Sequence, residues 1–180
     1  MTSKNLRAYV ATGVLIVASG IGPTAMAQSQ AAAPPEQAVS SPSDLDFARK
    51  AIIANRFEIA AGKLAESNAG DAKVKAFGQM MVTDHSAALK ELEAASQSSN
   101  VTSTSGAKID AQHQAKLDAL AAKKGADFDA AYIADMKKGH DDTLALLKAY
   151  QQNGTNEKLK AWAAKAQPIV QKHRDAISAM

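Results

Sequence analysis

The 180-residue chain has 21 Lys and Arg against 18 Asp and Glu, and its 46% hydrophobic fraction comes largely from alanine, with only 4% aromatic residues. This composition favours α-helices over a β-sandwich or barrel. The absence of cysteine excludes disulfide scaffolds, cysteine-ligated zinc and iron–sulfur clusters. No glycine-rich loop follows a strand-like segment, so Rossmann and P-loop nucleotide sites are not expected.

The N-terminal segment has the three parts of a secretory signal peptide. Lys4 and Arg7 precede an apolar run over residues 8–21, and Ala-Met-Ala at 25–27 provides a cleavage site between small residues. The run is too short for a comfortable transmembrane span, and an uncleaved signal anchor is the alternative interpretation. We therefore predict a signal peptide over residues 1–27, export by the general secretory route, and no membrane span in the mature protein.

A linker is predicted between this leader and the folded domain. Residues 28–42 (QSQAAAPPEQAVSSP) contain three prolines and no periodicity, which is typical of a flexible tether. Removal of the leader takes away two basic residues and leaves 19 basic against 18 acidic residues, a net charge of +1. Since no cluster of Lys and Arg is interleaved with aromatic residues, nucleic acid is not an expected partner.

The remaining residues, 43–180, have the apolar periodicity of a helical domain. Four long helices and one short helix are predicted at residues 43–67, 71–96, 110–124, 127–152 and 156–180. Asp71 is a candidate cap for the second helix, Gly125 is expected to end the short helix in a left-handed conformation, and Pro168 should kink the last helix. Two helical hairpins joined by a long connection predict an all-α, ferritin-like four-helix bundle, with the short helix in the central connection.

Each long helix carries one ionisable residue in the middle of its apolar stripe. These residues are Glu58, His85, His140 and His173. Counted from the hairpin loops at 1.5 Å per residue, the two members of each hairpin pair lie within roughly 7 to 10 Å of each other along the bundle axis. Because helical side chains lean toward the N-terminus of their own helix, the pairs can converge. A His₃Glu cluster suits a single zinc, copper, manganese or iron ion.

Two interpretations of these four residues stay open at this point. One is a metal site, and the other is a metal-free set of Glu–His hydrogen bonds that only fixes packing. A di-iron carboxylate site is disfavoured because no Glu-x-x-His pair is present. Met81 and Met136, each four residues before a histidine, are either additional ligands that would suit copper or gap-filling core residues. We expect copper or zinc, with iron and manganese as open alternatives, and no organic cofactor.

Three further polar residues receive a structural interpretation. Asp84 and Asp141 adjoin His85 and His140 in sequence but point about 100° away from them on the helix, so no supporting role is expected for either. His113, on the short helix, is interpreted as structural or exposed.

Several stretches resemble the bacterial exported family called domain of unknown function 4142. They include residues 47–64 with Glu58, the segment Val-Lys-Ala-Phe-Gly at 74–78 followed by Met-Val-Thr-Asp-His at 81–85, the pattern Phe-Asp-x-x-Tyr at 128–132, and Pro168 ahead of His173. The resemblance covers residues 44–180. It implies a ferritin-like bundle and a periplasmic or outer-membrane-associated location, and it supplies no activity. Glu58, His85, His140 and His173 match the family's polar core positions, whereas His113 has no counterpart.

The sequence leaves two main functional hypotheses. The first is a periplasmic metal-binding bundle that buffers or senses a transition metal under envelope stress. The second is a non-enzymatic envelope protein that binds a partner or assembles with itself. An oxidase or peroxidase at a mononuclear centre and a pH sensor are weaker alternatives. No nucleophile–base arrangement supports covalent catalysis, because cysteine is absent and the serines are concentrated in loops.

Overall fold

Five α-helices follow one another in the computed structural model, which describes residues 42–101, 104 and 106–180. They are α1 (Pro42–Asn68), α2 (Ala72–Ser98), α3 (Ala111–Ala121), α4 (Gly125–Asn153) and α5 (Glu157–Ser178). The described residues contain no strand, and the single isolated bridge joins Ala69 to Gly125. The predicted signal peptide and the linker as far as residue 41 lie outside the described residues. The all-α prediction is confirmed.

Short polar side chains at the helix N-termini explain why the helices begin where they do. Asp71 accepts a hydrogen bond from the backbone N–H of Lys73, Asp110 accepts one from that of His113, and Asn156 caps the first turn of α5. Gly125 has the predicted left-handed conformation, with φ of +58°. However, α3 has already ended at Ala121, so this glycine begins α4 rather than capping the short helix.

The path of the chain between the two hairpins agrees with the predicted central connection. At one end of the bundle, Tyr150 near the end of α4 donates a 2.6 Å hydrogen bond to Asp44 in the first turn of α1. At that same end, Lys158 of α5 donates to the Ser98 carbonyl at the end of α2. The bridge from Ala69 to Gly125 marks the opposite end, where α4 begins. The end of α2 and the start of α4 therefore lie at opposite ends of the bundle, as the crossover of a ferritin-like arrangement requires.

The interior consists of two apolar clusters separated by a polar layer. One cluster contains Phe47, Ile52, Leu92, Leu147 and Trp162, and the other contains Phe57, Phe77, Met81, Tyr132 and Ile177, each with further buried residues. Between the two clusters, every long helix contributes buried polar side chains. We call this set the polar layer, and it comprises Asn55, Glu58, His85, His140 and His173.

Candidate metal centre

Three histidines from three helices meet in the polar layer. The ring centroids of His85 on α2, His140 on α4 and His173 on α5 are 5.3 to 5.9 Å apart. Their side chains are buried, with residue exposures of 6%, 1% and 0%. Each ring offers one nitrogen, and these three nitrogens lie within 4.8 Å of one another. The convergence that the sequence allowed is thus realised for the histidines.

Hydrogen bonds fix one nitrogen of each imidazole as a donor. The Nδ1 of His85 lies 3.0 Å from the amide oxygen of Asn55, whose own amide nitrogen donates to the Ala51 carbonyl and so sets the orientation of the amide. The Nδ1 of His140 donates to the carbonyl of Met136 at 2.7 Å. Amide and carbonyl oxygens only accept hydrogen bonds, so in both contacts the ring nitrogen is the donor.

The acceptor for His173 is Asp84, which corrects a sequence expectation. The carboxylate of Asp84 on α2 lies 2.8 Å from the Nε2 of His173 on α5. Asp84 points away from its sequence neighbour His85, as expected, but it points toward a histidine that the packing of another helix brings close. Asp141 agrees with the expectation, because it pairs at the surface with Arg174. We call the hydrogen-bonded nitrogen of each ring the outer nitrogen. Metal-binding histidines usually donate their outer N–H to a carboxylate or a carbonyl, which fixes the orientation of the ring.

The other nitrogen of each ring has no hydrogen-bond partner. Among the described residues, six buried side-chain polar atoms lack a partner, and five belong to this region. They are His85 Nε2, His140 Nε2, His173 Nδ1, Glu58 Oε2 and the Tyr132 hydroxyl. Buried polar groups are nearly always satisfied in folded proteins, so such a concentration makes this region the candidate site.

Burial keeps the three imidazoles neutral. It lowers the pKa of His140 to about 4, against the opposing effect of the bond to the Met136 carbonyl. Burial, together with the neighbouring histidines, holds the pKa of His85 well below its ordinary value, and burial also lowers the pKa of His173 although Asp84 acts in the opposite sense. At neutral pH each ring therefore keeps a lone pair on its unpartnered nitrogen.

Glu58 lies beside the centre rather than among the three nitrogens. Its Oε1 is 3.9 Å from the Nδ1 of His140, the nitrogen that already donates to Met136. Burial raises the pKa of Glu58 to about 8, with Lys116 opposing that effect. Since the pKa of His140 is lowered, the contact at neutral pH joins two uncharged groups and is not an ion pair. The role of Glu58 as a fourth ligand stays a prediction.

The donor set fits a transition-metal ion. A tetrahedral zinc site with bonds of about 2.0–2.1 Å places its nitrogens roughly 3.4 Å apart, so nitrogens within 4.8 Å need only a small inward movement. Three neutral imidazoles suit zinc or copper, and they leave a coordination position for a further ligand. Met81 and Met136 are fully buried in the neighbouring apolar cluster, and their role as thioether ligands also stays a prediction.

The sequence matches the family model described as Domain of unknown function (DUF4142) over residues 27–180. The chain belongs to the DUF4142 family. Neither a curated protein nor a solved structure matches it. In the part of this DUF4142 chain that the structure describes, no helix combines the length and the apolarity needed to cross a membrane.

The stretches that carry the resemblance to the DUF4142 family surround the centre. The ring of Phe77 packs 6.3 Å from both His140 and His173, between these imidazoles and Tyr132. Asp129 accepts hydrogen bonds from the backbone N–H groups of Gly70 and Asp71, and so ties α4 to the loop between α1 and α2. These contacts hold the helices that present the histidines.

Sequence reasoning missed two members of the site, and only one had a detectable signal. Asn55 lies one turn before Glu58, so a second polar residue on the same apolar face could have identified it. Tyr132 gave no such signal, because a tyrosine in an apolar stripe is ordinary. Its hydroxyl is buried and unpartnered, and burial, followed by the charge of Glu58, raises its pKa. His113, by contrast, bonds to Asp110 on its own helix and packs against Phe57, as its structural interpretation predicts.

Proposed function

We propose that this DUF4142 protein binds one transition-metal ion through His85, His140 and His173. The observation that carries the proposal is that each of the three buried rings donates its outer N–H to an oxygen and retains an unpartnered nitrogen. A packing device alone would leave three buried acceptors unsatisfied, and each unsatisfied group destabilises the fold by about 1–3 kcal/mol. Coordination of one ion satisfies all three nitrogens together.

Copper or zinc is the proposed ion. Both bind imidazole well, and neutral ligands in a water-poor interior favour them over manganese or calcium, which prefer oxygen donors. Asn55, Asp84 and the Met136 carbonyl hold the rings by their outer nitrogens. The apolar clusters on either side keep water away. When bound, the ion would supply Lewis acidity and, in the case of copper, one-electron chemistry.

We further propose that the protein acts outside the cytoplasm, in metal handling or envelope stress. The support is the three-part leader at residues 1–27 and a family match that begins at residue 27. An exported protein without cysteine has no thiol that the oxidising conditions of the periplasm could convert to a disulfide. A histidine centre of this kind does not depend on thiolate ligands, so it can retain its metal in that compartment.

The deciding experiment measures the metal content of the protein purified from the periplasm. We expect elemental analysis and native mass spectrometry to find one copper or zinc ion per chain. The His85→Gln/His140→Gln/His173→Gln variant should lose it, whereas the His113→Gln control should keep it. Circular dichroism verifies that each variant is folded.

Two outcomes would overturn the proposal. One is a wild-type protein that stays metal-free after incubation with copper and zinc, and the other is a folded triple variant that still binds one ion. In either case the cluster would be a packing device. Replacing His85 with a leucine should then preserve or raise the free energy of unfolding, because the buried unpartnered nitrogen would be gone.

A further inference from the structure

A surface groove between α1, α3 and α4 ends at the carboxyl group of Glu58. We call it the Glu58 groove, and its volume is about 240 Å³. The side chains of Lys50 and Asp142, which line the groove, are 59% and 65% exposed, whereas that of Glu58 is 5% exposed. The groove therefore extends from the surface of the bundle to a buried carboxyl group in the polar layer.

Gly139 leaves this carboxyl group uncovered on the side of the groove. It lies in the interior of α4, where glycine is less favourable than alanine. A Cβ atom added at Gly139 would stand 3.1 Å from Glu58 Oε1, and outside its own stretch of helix it would meet no other atom of the described chain within 4 Å. A side chain at position 139 would thus lie against the Glu58 carboxyl group and close the end of the groove.

The charged side chains at the rim of the groove do not compete for Glu58. Each is paired with an opposite charge on a residue outside the groove. The pairs are Lys50 with Asp46, Lys116 with Asp135, and Asp142 with Lys138. Glu58 Oε2, by contrast, is buried without a hydrogen-bond partner. The carboxyl group at the end of the groove is therefore available to a ligand.

Glu58 also connects the groove to the three histidines. Its Oε1 lies 3.9 Å from the Nδ1 of His140, and the unpartnered nitrogens of the three rings are themselves buried. An ion that binds these nitrogens needs a route from solvent into the bundle. Carboxylate oxygens are ligands for zinc and copper, so a carboxyl group between a groove and a histidine can pass such an ion from one to the other.

The second carboxyl group beside the centre is less suited to this role. Asp84 lines a different groove, between α2 and α5. Its carboxylate accepts the hydrogen bond that orients His173, at 2.8 Å. A cation that bound Asp84 would compete with this hydrogen bond and so disturb one of the ligands, whereas Glu58 orients none of the three rings.

We propose that the copper or zinc ion enters and leaves the centre through the Glu58 groove, and that Glu58 passes it between solvent and the histidines. This inference rests on the proposed function, because it concerns the same ion. Glu58 is then a ligand in transit, which agrees with its position beside the three nitrogens rather than among them. A cation that reaches Glu58 replaces the proton that burial keeps on the carboxyl group at neutral pH, and the proton leaves through the groove.

A ligand in transit has a kinetic signature that a resident ligand lacks. It changes the rate constants of entry and exit by the same factor, so their ratio, the Kd, stays constant. We expect Glu58→Gln to lower both rate constants severalfold and to keep the Kd and the binding of one ion per chain. Glutamine retains the shape of the side chain but cannot bind the ion as a carboxylate.

Stopped-flow mixing of the metal-free protein with copper(II) chloride measures entry. Quenching of the fluorescence of Trp162, the single tryptophan of the chain, reports the arrival of the ion, since Trp162 lines the same small cavity as His85 and His173. Mixing of the copper-loaded protein with an excess of chelator measures exit. Circular dichroism verifies that each variant is folded.

Substitutions in the two grooves locate the route. Gly139→Leu should slow entry and exit, because its side chain covers the Glu58 carboxyl group. Gly139→Ala favours the helix and adds a single methyl group, so it should fold readily and slow both steps to a smaller extent. Ala87→Leu introduces the same leucine at an exposed position in the groove between α2 and α5, and should leave both rate constants unchanged.

Three results would overturn the proposal while leaving the metal centre intact. The first is a wild-type rate of entry in folded Glu58→Gln and Gly139→Leu. The second is an equal slowing in Ala87→Leu. The third is weaker binding by Glu58→Gln through faster exit alone, which would make Glu58 a resident ligand. A wild-type protein that binds no copper or zinc would overturn the proposed function and this inference together, so the two failures are distinguishable.

Discussion

At the scale of single residues, the centre depends on which nitrogen of each ring carries the proton. The outer N–H of each ring is donated to Asn55, to Asp84 or to the Met136 carbonyl. The nitrogens left without a partner, which we call the inner nitrogens, are His85 Nε2, His140 Nε2 and His173 Nδ1. Asp84 is the one carboxyl group among these acceptors, and its side chain remains 34% exposed at the edge of the core. In the proposed metal site, a carboxyl group in this position would make His173 a better ligand.

Loss of Asp84 should therefore weaken metal binding without removing a ligand. We expect Asp84→Ala to lower the affinity for copper or zinc by about 10- to 100-fold, the usual effect of deleting an outer-nitrogen partner. Competition titration with a chromophoric chelator measures the change. Asp141→Ala is the matched control. Asp141 also adjoins a histidine in sequence, since it directly follows His140, but it pairs with Arg174 at the surface. An equal loss in both variants would contradict the role given to Asp84.

At the scale of helices, the position of His85 depends on the close approach of α1 and α2. A Cβ atom added at Gly78 would stand 2.6 Å from the Cβ of Ala65 and 2.8 Å from the carbonyl of Gly62. Gly62 is equally tight, since its added Cβ would lie 2.7 Å from the Gly78 carbonyl. Because Gly62 and Gly78 face each other, the backbones of α1 and α2 come into contact about two turns before His85.

Gly78→Ala should consequently destabilise the bundle, although alanine is the better helix former by about 1 kcal/mol. Overpacking of a close contact generally lowers the free energy of unfolding by about 1–3 kcal/mol, and we expect a loss in this range from urea denaturation. Gln79→Ala changes the next, exposed residue and should shift stability by no more than about 0.5 kcal/mol. Adding Ala65→Gly to Gly78→Ala should recover part of the loss. A Gly78→Ala protein as stable as wild type would show that the helices can separate freely.

At the scale of the whole molecule, the polar layer makes the metal-free fold sensitive to pH in two opposite ways. The folded state holds three neutral histidines with lowered pKa values, whereas the unfolded chain protonates them below about 6.5. It also holds a protonated Glu58 with a pKa of about 8, whereas the unfolded chain ionises this group above about 4.5. Each difference in bound protons gives stability a slope with pH.

We predict that the free energy of unfolding of the metal-free protein is highest near pH 6.5. Between about pH 4.5 and 6.5 the unfolded state binds more protons, because three histidines outweigh one carboxyl group, so stability rises with pH. Between about 6.5 and 8 the folded state binds the additional proton on Glu58, so stability falls as pH rises. Urea denaturation at a series of pH values measures both limbs.

Glu58→Gln separates the two effects, because glutamine retains the shape and cannot ionise. This variant should lose the decline above pH 6.5 and keep the rise below it. A decline that persists unchanged in Glu58→Gln would place its origin in another group. A profile that is flat from pH 5 to 8 would contradict the pKa shifts of the histidines as well.

Local information in the sequence was sufficient for the helices and for the identity of the buried ionisable residues. Asp71, Asp110 and Asn156 cap helices as their residue types indicate, and the apolar period places one ionisable residue in each buried stripe. The central crossover also follows from the chain, because its length suits a connection along the bundle. These features depend on residues that are close together in sequence, so the geometry of a single helix or connection is enough to predict them.

Which groups meet across helices was decided only by tertiary structure. Asp84 bonds to His173, 89 residues away, and Glu58 lies on the donor side of His140 rather than among the three inner nitrogens. Rotation of a helix by a fraction of a turn moves a side chain by several ångströms, and periodicity fixes the buried face without fixing that rotation. The sequence by itself determined a helical bundle with histidines in its core. The packing of α2, α4 and α5 brought three neutral imidazoles together and left one nitrogen of each ring without a hydrogen-bond partner.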